Sequence, residues 1–117
     1  MSLTKPIPQE MREEMSQDKF YSHCCLQGLI GIPCQGRIEW HHNFTYKGTR
    51  VNEPWCILPL CHNHHESEKR SDVKELLNWV MLNRKKDFSE YDRCTPSLDY
   101  QKKMLNEMYG KYHNPYR

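Results

Sequence analysis

The stretch "PLCHNHH", residues 59–65, sets four potential metal ligands, Cys61, His62, His64 and His65, within five positions. The fold turns on how they are shared. In a helix that opens here, Cys61 and His64 stand three residues apart and share a face, whereas the adjacent His64 and His65 diverge by roughly 100°. Cys61 and His64, spaced C-x-x-H, make half of a tetrahedral zinc site. His65 faces another way.

The missing half comes from "HCCLQGLIGIPC", residues 23–34, which offers Cys34 and either Cys24 or Cys25. A closed Cys3His site of that kind is structural, tying an irregular segment to the strand and helix around Cys61. Two alternatives stand beside it. One is a C2H2 finger built from Cys24 or Cys25, Cys34 and two histidines of "HNHH". The other is a set of buried free thiols, since Cys packs well as a small apolar residue.

Composition favours the metal. The chain has 117 residues, 37% hydrophobic and 27% charged, which suits one domain with a modest core in need of a staple. The N-terminus lacks the apolar core of a signal peptide, and no run reaches the roughly 18 apolar residues of a membrane span. A soluble cytoplasmic protein is expected, and there cysteines serve metals more readily than disulfides. Six of the seven histidines lie in the same segment as five of the six cysteines, residues 23–65. Disulfide frameworks do not need histidine.

Outward from the cluster, "GRIEWHHNF", residues 36–44, alternates Ile38, Trp40, His42 and Phe44 against Arg37, Glu39, His41 and Asn43, as a strand does. "WCILPL", residues 55–60, is a second short strand, with Pro59 at an edge or end. "TYKGTRVNEP" between them reads as a connecting loop exposing Lys47 and Arg50. From Asp72 the period becomes 3.6: Val73, Leu76, Leu77, Val80 and Met81 form a helical stripe, with Asp72 and Glu75 as a capping box and Arg84, Lys85 and Lys86 at the C-terminal end. A further helix is expected from about Ser97, with Met104, Leu105 and Met108 inward and Gly110 as its stop. Residues 1–22 read as an N-terminal arm, mobile or with one short helix. Trp40, Trp55, Trp79 and Phe44 are expected in the core, and Cys94 as a free thiol. His23, His62 and His113 carry no assigned role.

The formal charge of +2 is spread unevenly, about −1 over residues 1–22, 0 over 23–66 and +3 over 67–117. This points weakly to a polyanionic partner. His41, His42 and His65 remain outside the zinc site. A helix histidine and a strand His-His pair give two ligands for an open divalent site and one spare imidazole, able to take a proton from water beside a metal-bound phosphate. For His41 and His42 to reach one phosphate, the strand must twist or end there.

Together, "EWHHNF", a loop, "WCILPLCHNHH" and a helix resemble the HNH endonuclease family and its ββα-metal fold. The likeness is closest to small phage and prophage members with a "G-R-I-x-W-x-H" strand, a "P-L-C-x-x-H-H" turn and a "W-x-x-x-N-R" helix, here "WVMLNR". It spans roughly residues 23–110. The resemblance implies an α+β fold: a ββα-metal core at about 37–70 within a domain of residues 23–117, stapled by structural zinc and followed by helices at about 72–110. It also implies His42 as the general base, His41 and His65 as ligands of a catalytic divalent cation such as Mg²⁺ or Mn²⁺, and Cys61 and His64 as the second half of the zinc knuckle. Cys56 stands where the family has its middle asparagine, and Asn52 would take that orienting role across the loop. The first knuckle is wide, with eight or nine residues between its cysteines. The function implied is hydrolysis of DNA phosphodiesters to 5′-phosphate and 3′-hydroxyl ends, in a bacterial or phage-infected cell. Lys47, Arg50, Lys69 and Arg70 are candidate phosphate contacts. The competing reading is a zinc-stapled DNA-binding or protein-interaction module without catalysis.

Overall fold

A computed structural model describes residues 6–29 and 33–110 of the chain. It is a small α+β structure. The alternating segment forms β1 (Ile38–His42), and the second apolar run forms β4 (Ile57–Cys61), entered through a 3-10 turn at Pro54–Cys56. The two pair antiparallel, with Ile38 opposite Cys61 and His42 opposite Ile57. β1 runs through His42, still paired with Ile57, so His41 and His42 lie on alternate faces of the strand at its end.

Pro59 fits β4 because of its register. The Asn43 N–H donates to the Cys56 carbonyl and the His62 N–H to the Arg37 carbonyl, so these two end pairs are hydrogen-bonded. Such pairs alternate along an antiparallel ladder, which leaves Trp40 and Pro59 as a non-bonded pair. The missing N–H of Pro59 therefore costs no ladder bond. Its carbonyl, on the outer edge, accepts from the Cys25 N–H at 2.9 Å. The connecting loop contains a small hairpin of β2 (Thr45–Tyr46) and β3 (Thr49–Arg50). Lys47 and Gly48, at φ 53° and 78°, make its two-residue turn, the positive-φ pair that matches strand twist.

α2 (His62–Glu66) follows β4 without a gap, because Cys61 is both the last strand residue and the helix cap. Its sulfur accepts the His64 N–H at 3.4 Å, the task usually given to a Ser, Thr or Asp oxygen. α3 (Ser71–Leu82) buries Val73, Leu76, Leu77, Trp79, Val80, Met81 and Leu82. The expected capping box does not form. The helix begins before Asp72, whose carboxylate pairs with Arg70 at 2.8 Å, and Glu75 instead accepts from the Tyr109 hydroxyl.

α4 (Thr95–Tyr109) ends at Gly110 as expected, but its inward face is Leu98 and Leu105. Met104 and Met108 are 36% and 46% exposed, contrary to the expectation that they point inward. The helix carries two apolar stripes, and α3 covers only one. Asn106 Oδ1 fixes the choice by accepting from Trp79 Nε1 at 2.9 Å and from Asn83 Nδ2 at 2.8 Å.

The N-terminal segment belongs to the same core as the rest of the chain. α1 (Gln9–Gln17) buries Met15, and the 3-10 turn at Lys19–Ser22 buries Phe20 and Tyr21. Arg84, just past α3, holds this turn: its guanidinium lies 3.8 Å over the Phe20 ring and donates to the Tyr21 hydroxyl at 3.1 Å. An arm ending at residue 22 is thus not separate in packing, because its aromatics complete the cluster around β4. Trp55 and Trp79 are buried, while Trp40 and Phe44 pack at the margin of the core. Among the described residues no helix is long and apolar enough to cross a membrane.

Candidate metal centres

The ligand atoms of Cys24, Cys34, Cys61 and His64 lie within 4.8 Å of one another and could hold a metal ion such as zinc. From His64 Nδ1 the three sulfurs are at 3.3, 3.5 and 3.1 Å, in the order Cys24, Cys34 and Cys61. Zn–S and Zn–N bonds at the tetrahedral angle separate S from N by roughly 3.5 Å, so the donor set fits that ion. Cys24 is the member of the adjacent pair that faces the cluster. Cys25 is buried, and its N–H on the Pro59 carbonyl anchors the turn that presents Cys24. Cys61 takes the place of the second histidine that a C2H2 site would have used.

Local chain geometry explains how Cys34 arrives from so far away in sequence. Residues 33–37 are strapped to the start of α2. The Asn63 N–H donates to the Gln35 carbonyl, Asn63 Nδ2 to the Pro33 carbonyl, and the His62 N–H to the Arg37 carbonyl. Gly36 permits the strap: it sits at φ 86°, and a Cβ there would stand 2.7 Å from the His62 Cβ.

Three thiols crowd one imidazole, and they titrate accordingly. Burial pushes Cys24 up, while burial together with the neighbouring Cys24 sulfur pushes Cys34 up to about 12. Burial also acts against the Cys61 thiolate, but the His64 and Gln35 N–H groups and hydrogen bonds from the other two thiols bring Cys61 below its ordinary value. One thiolate is favoured and two are resisted. A cation held by the four would let all three thiols ionise together. Cys56 and Cys94 lie outside the cluster, Cys56 with its sulfur 3.4 Å from the Val51 carbonyl oxygen.

A second group occupies the other side of α2. His41 and Glu39, two apart on β1, share the face that meets α2. The His41 and His65 rings meet edge to face, 5.2 Å between centroids. His65 Nδ1 lies 2.7 Å from Glu39 Oε1, and His41 Nε2 lies 3.9 Å from Glu68 Oε2. Hydrogen bonds from His65 and His62, with Arg37 adding a third, hold the Glu39 carboxyl down at about 2, so it is ionised. Burial lowers the His41 pKa, partly offset by Glu68, and favours the neutral imidazole a metal needs. Among the described residues only the Cys3His set converges three or more such ligand atoms within 4.8 Å, and the His41 and His65 side chains, 14% and 33% exposed, meet as a pair flanked by Glu68 and Glu39.

His42 is bound to the loop expected to orient it: its Nε2 lies 3.1 Å from Asn52 Oδ1. The Asn52 amide is set by its other end, since Nδ2 donates to the Pro6 carbonyl at 3.1 Å. A carbonyl can only accept, so the amide oxygen faces His42, and His42 Nε2 must carry the proton. Its Nδ1 is left with the lone pair. Lys47, Arg50, Lys69 and Arg70 are all exposed, with the Lys47 ammonium 5.1 Å over the Tyr46 ring and Arg70 paired with Asp72.

Reading the sequence missed Glu39 and Glu68. Their signal was position: Glu39 is two residues from His41 on one strand face, and Glu68 three from His65. His62, given no role, bridges Glu39 at 3.1 Å and Glu66 at 3.0 Å. His23 lies beside Ser22 Oγ at 3.0 Å, and His113 falls outside the described residues. Comparison of the chain with protein-family models, with curated proteins and with solved structures returns no match.

Proposed function

We propose that the protein is a metal-dependent DNA endonuclease of the HNH type, hydrolysing phosphodiester bonds at the edge where β1 meets α2. The observation that carries this reading is the meeting of the His41 and His65 rings where β1 faces α2, with His42, the next residue of β1, held by Asn52 so that its proton lies on Nε2. β1, β4 and α2 would be its ββα-metal core, and Cys24, Cys34, Cys61 and His64 would hold a structural Zn²⁺.

His41 and His65 would hold one Mg²⁺, Mn²⁺ or similar ion. Such an ion, when bound, polarises the phosphate and neutralises charge on the leaving oxygen. The chain itself supplies the base. Asn52 keeps the His42 proton on Nε2, so Nδ1 can take a proton from the attacking water. Asn52 positions the ring and does not touch the reacting atoms. Lys47, Arg50, Lys69 and Arg70 would contact phosphates and fix the duplex without reading its sequence.

The test is nicking of supercoiled plasmid with Mg²⁺ or Mn²⁺. Wild type should cut, and His42→Ala should cut about 10²–10⁴-fold more slowly with unchanged zinc content. Undiminished cutting by His42→Ala would remove His42 from the mechanism. DNA binding without any cutting by wild type would favour the zinc-stapled binding module.

A further inference from the structure

Glu39 lies between two elements of the proposed site and is claimed by three donors. Oε1 faces His65 Nδ1 at 2.7 Å, and Oε2 receives His62 Nδ1 at 3.1 Å and Arg37 Nε at 3.2 Å. The first contact is the shortest, and His65 has Oε1 to itself. A carboxylate can only accept, so His65 Nδ1 must be the donor. The neutral ring has one proton, and with Nδ1 protonated its lone pair lies on Nε2.

We infer that Glu39 is a positioning residue that locks His65 in the Nδ1–H tautomer and so keeps Nε2 available as a metal ligand. This rests on the reading of His65 as a ligand given above. A carboxylate behind a ligating imidazole fixes the ring's orientation and raises its basicity, and removing such a partner typically lowers metal affinity about 10–100-fold. The register makes the arrangement possible. Glu39 and His41 project from the same face of β1, so one strand supplies a ligand and the group that orients the ligand opposite. The second oxygen, held by Arg37 and His62, keeps the carboxylate from rotating away.

The competing role is a plain staple between β1 and α2, which would leave the tautomer of His65 unspecified. Long-range ¹H–¹⁵N spectra of histidine-labelled, zinc-loaded protein at pH 8.5, without a second metal, separate the two. In wild type His65 should be Nδ1–H. In Glu39→Ala it should move toward Nε2–H, the form a free imidazole side chain prefers, and Mn²⁺ affinity should fall about 10–100-fold at constant zinc content. In His62→Ala the tautomer should not change, because His62 uses the other oxygen.

A wild-type His65 found as Nε2–H overturns the inference directly, even if Glu39→Ala does not fold. So does a folded Glu39→Ala whose His65 tautomer is unaltered. If the tautomer behaves as stated but wild type binds no Mn²⁺, Glu39 still orients His65, and it is the nuclease reading that fails.

Discussion

His64 and His65 are neighbours in sequence and opposites in environment. His64 is 1% exposed with Nδ1 facing three sulfurs, while the side chain of His65 is 33% exposed with Nδ1 on a carboxylate. One region gathers three thiols and an imidazole, buried except at Cys34; the other gathers two imidazoles and two carboxylates, and is partly exposed. Rotation of about 100° per residue is enough to separate them, so a helix of five residues, His62–Glu66, presents its two histidines to different environments. A closed Cys3His donor set suits a structural ion, and the proposed nuclease reading assigns the more exposed histidine pair the exchange with solvent and substrate.

That contrast can be broken from either side. The largest effect should come from the closed centre. Cys61→Ala removes a sulfur ligand and the cap of α2 at once, and should abolish zinc binding and cooperative thermal unfolding, since structural zinc affinity is folding free energy. Zinc release, followed by a chromogenic chelator, together with calorimetry, checks this. Next, His65→Ala should leave zinc and melting temperature nearly unchanged while abolishing plasmid nicking, because that imidazole faces Glu39 and His41 and turns away from the sulfurs. Retained nicking would remove His65 from the ligand set.

Gly36→Ala tests the strap that delivers Cys34. The substitution forces a strained φ and a contact on His62, and should cost about 1–3 kcal/mol, read as a lower melting temperature and faster zinc loss. The smallest effect concerns pH. Glu39 and Glu66 favour the imidazolium of His62 and raise its pKa, so this interaction stabilises the fold below the ordinary histidine range and fades as pH rises through the raised value. Glu39→Gln should lower the His62 midpoint in an NMR titration and cost more stability at pH 6 than at pH 8.5.

Much of this was legible in the sequence because periodicity and ligand spacing are local. The alternation of Ile38, Trp40 and His42 located β1, and C-x-x-H placed Cys61 and His64 on one turn. The choice between Cys24 and Cys25 was not local. It depends on a hydrogen bond from Cys25 to Pro59, thirty-four positions away. Met104 and Met108 were misplaced for a similar reason: α4 has two apolar stripes, and Asn106, reaching to Trp79 and Asn83, selects which one is covered. Asp72 looked like a cap until Arg70 claimed its carboxylate. Glu39 gave only a positional signal, two residues from His41 on one strand face, and a charged residue there is ordinary until α2 brings His62 and His65 against it.

On the proposed reading, the adjacent His64 and His65 bind different metals. Metal analysis after EDTA dialysis, followed by Mn²⁺ titration read by electron paramagnetic resonance, tests it on wild type and His65→Ala. Wild type should keep one zinc through the dialysis and then bind one Mn²⁺, and His65→Ala should keep the zinc and lose the Mn²⁺. Loss of zinc from folded His65→Ala, or Mn²⁺ binding undiminished in it, would contradict the division.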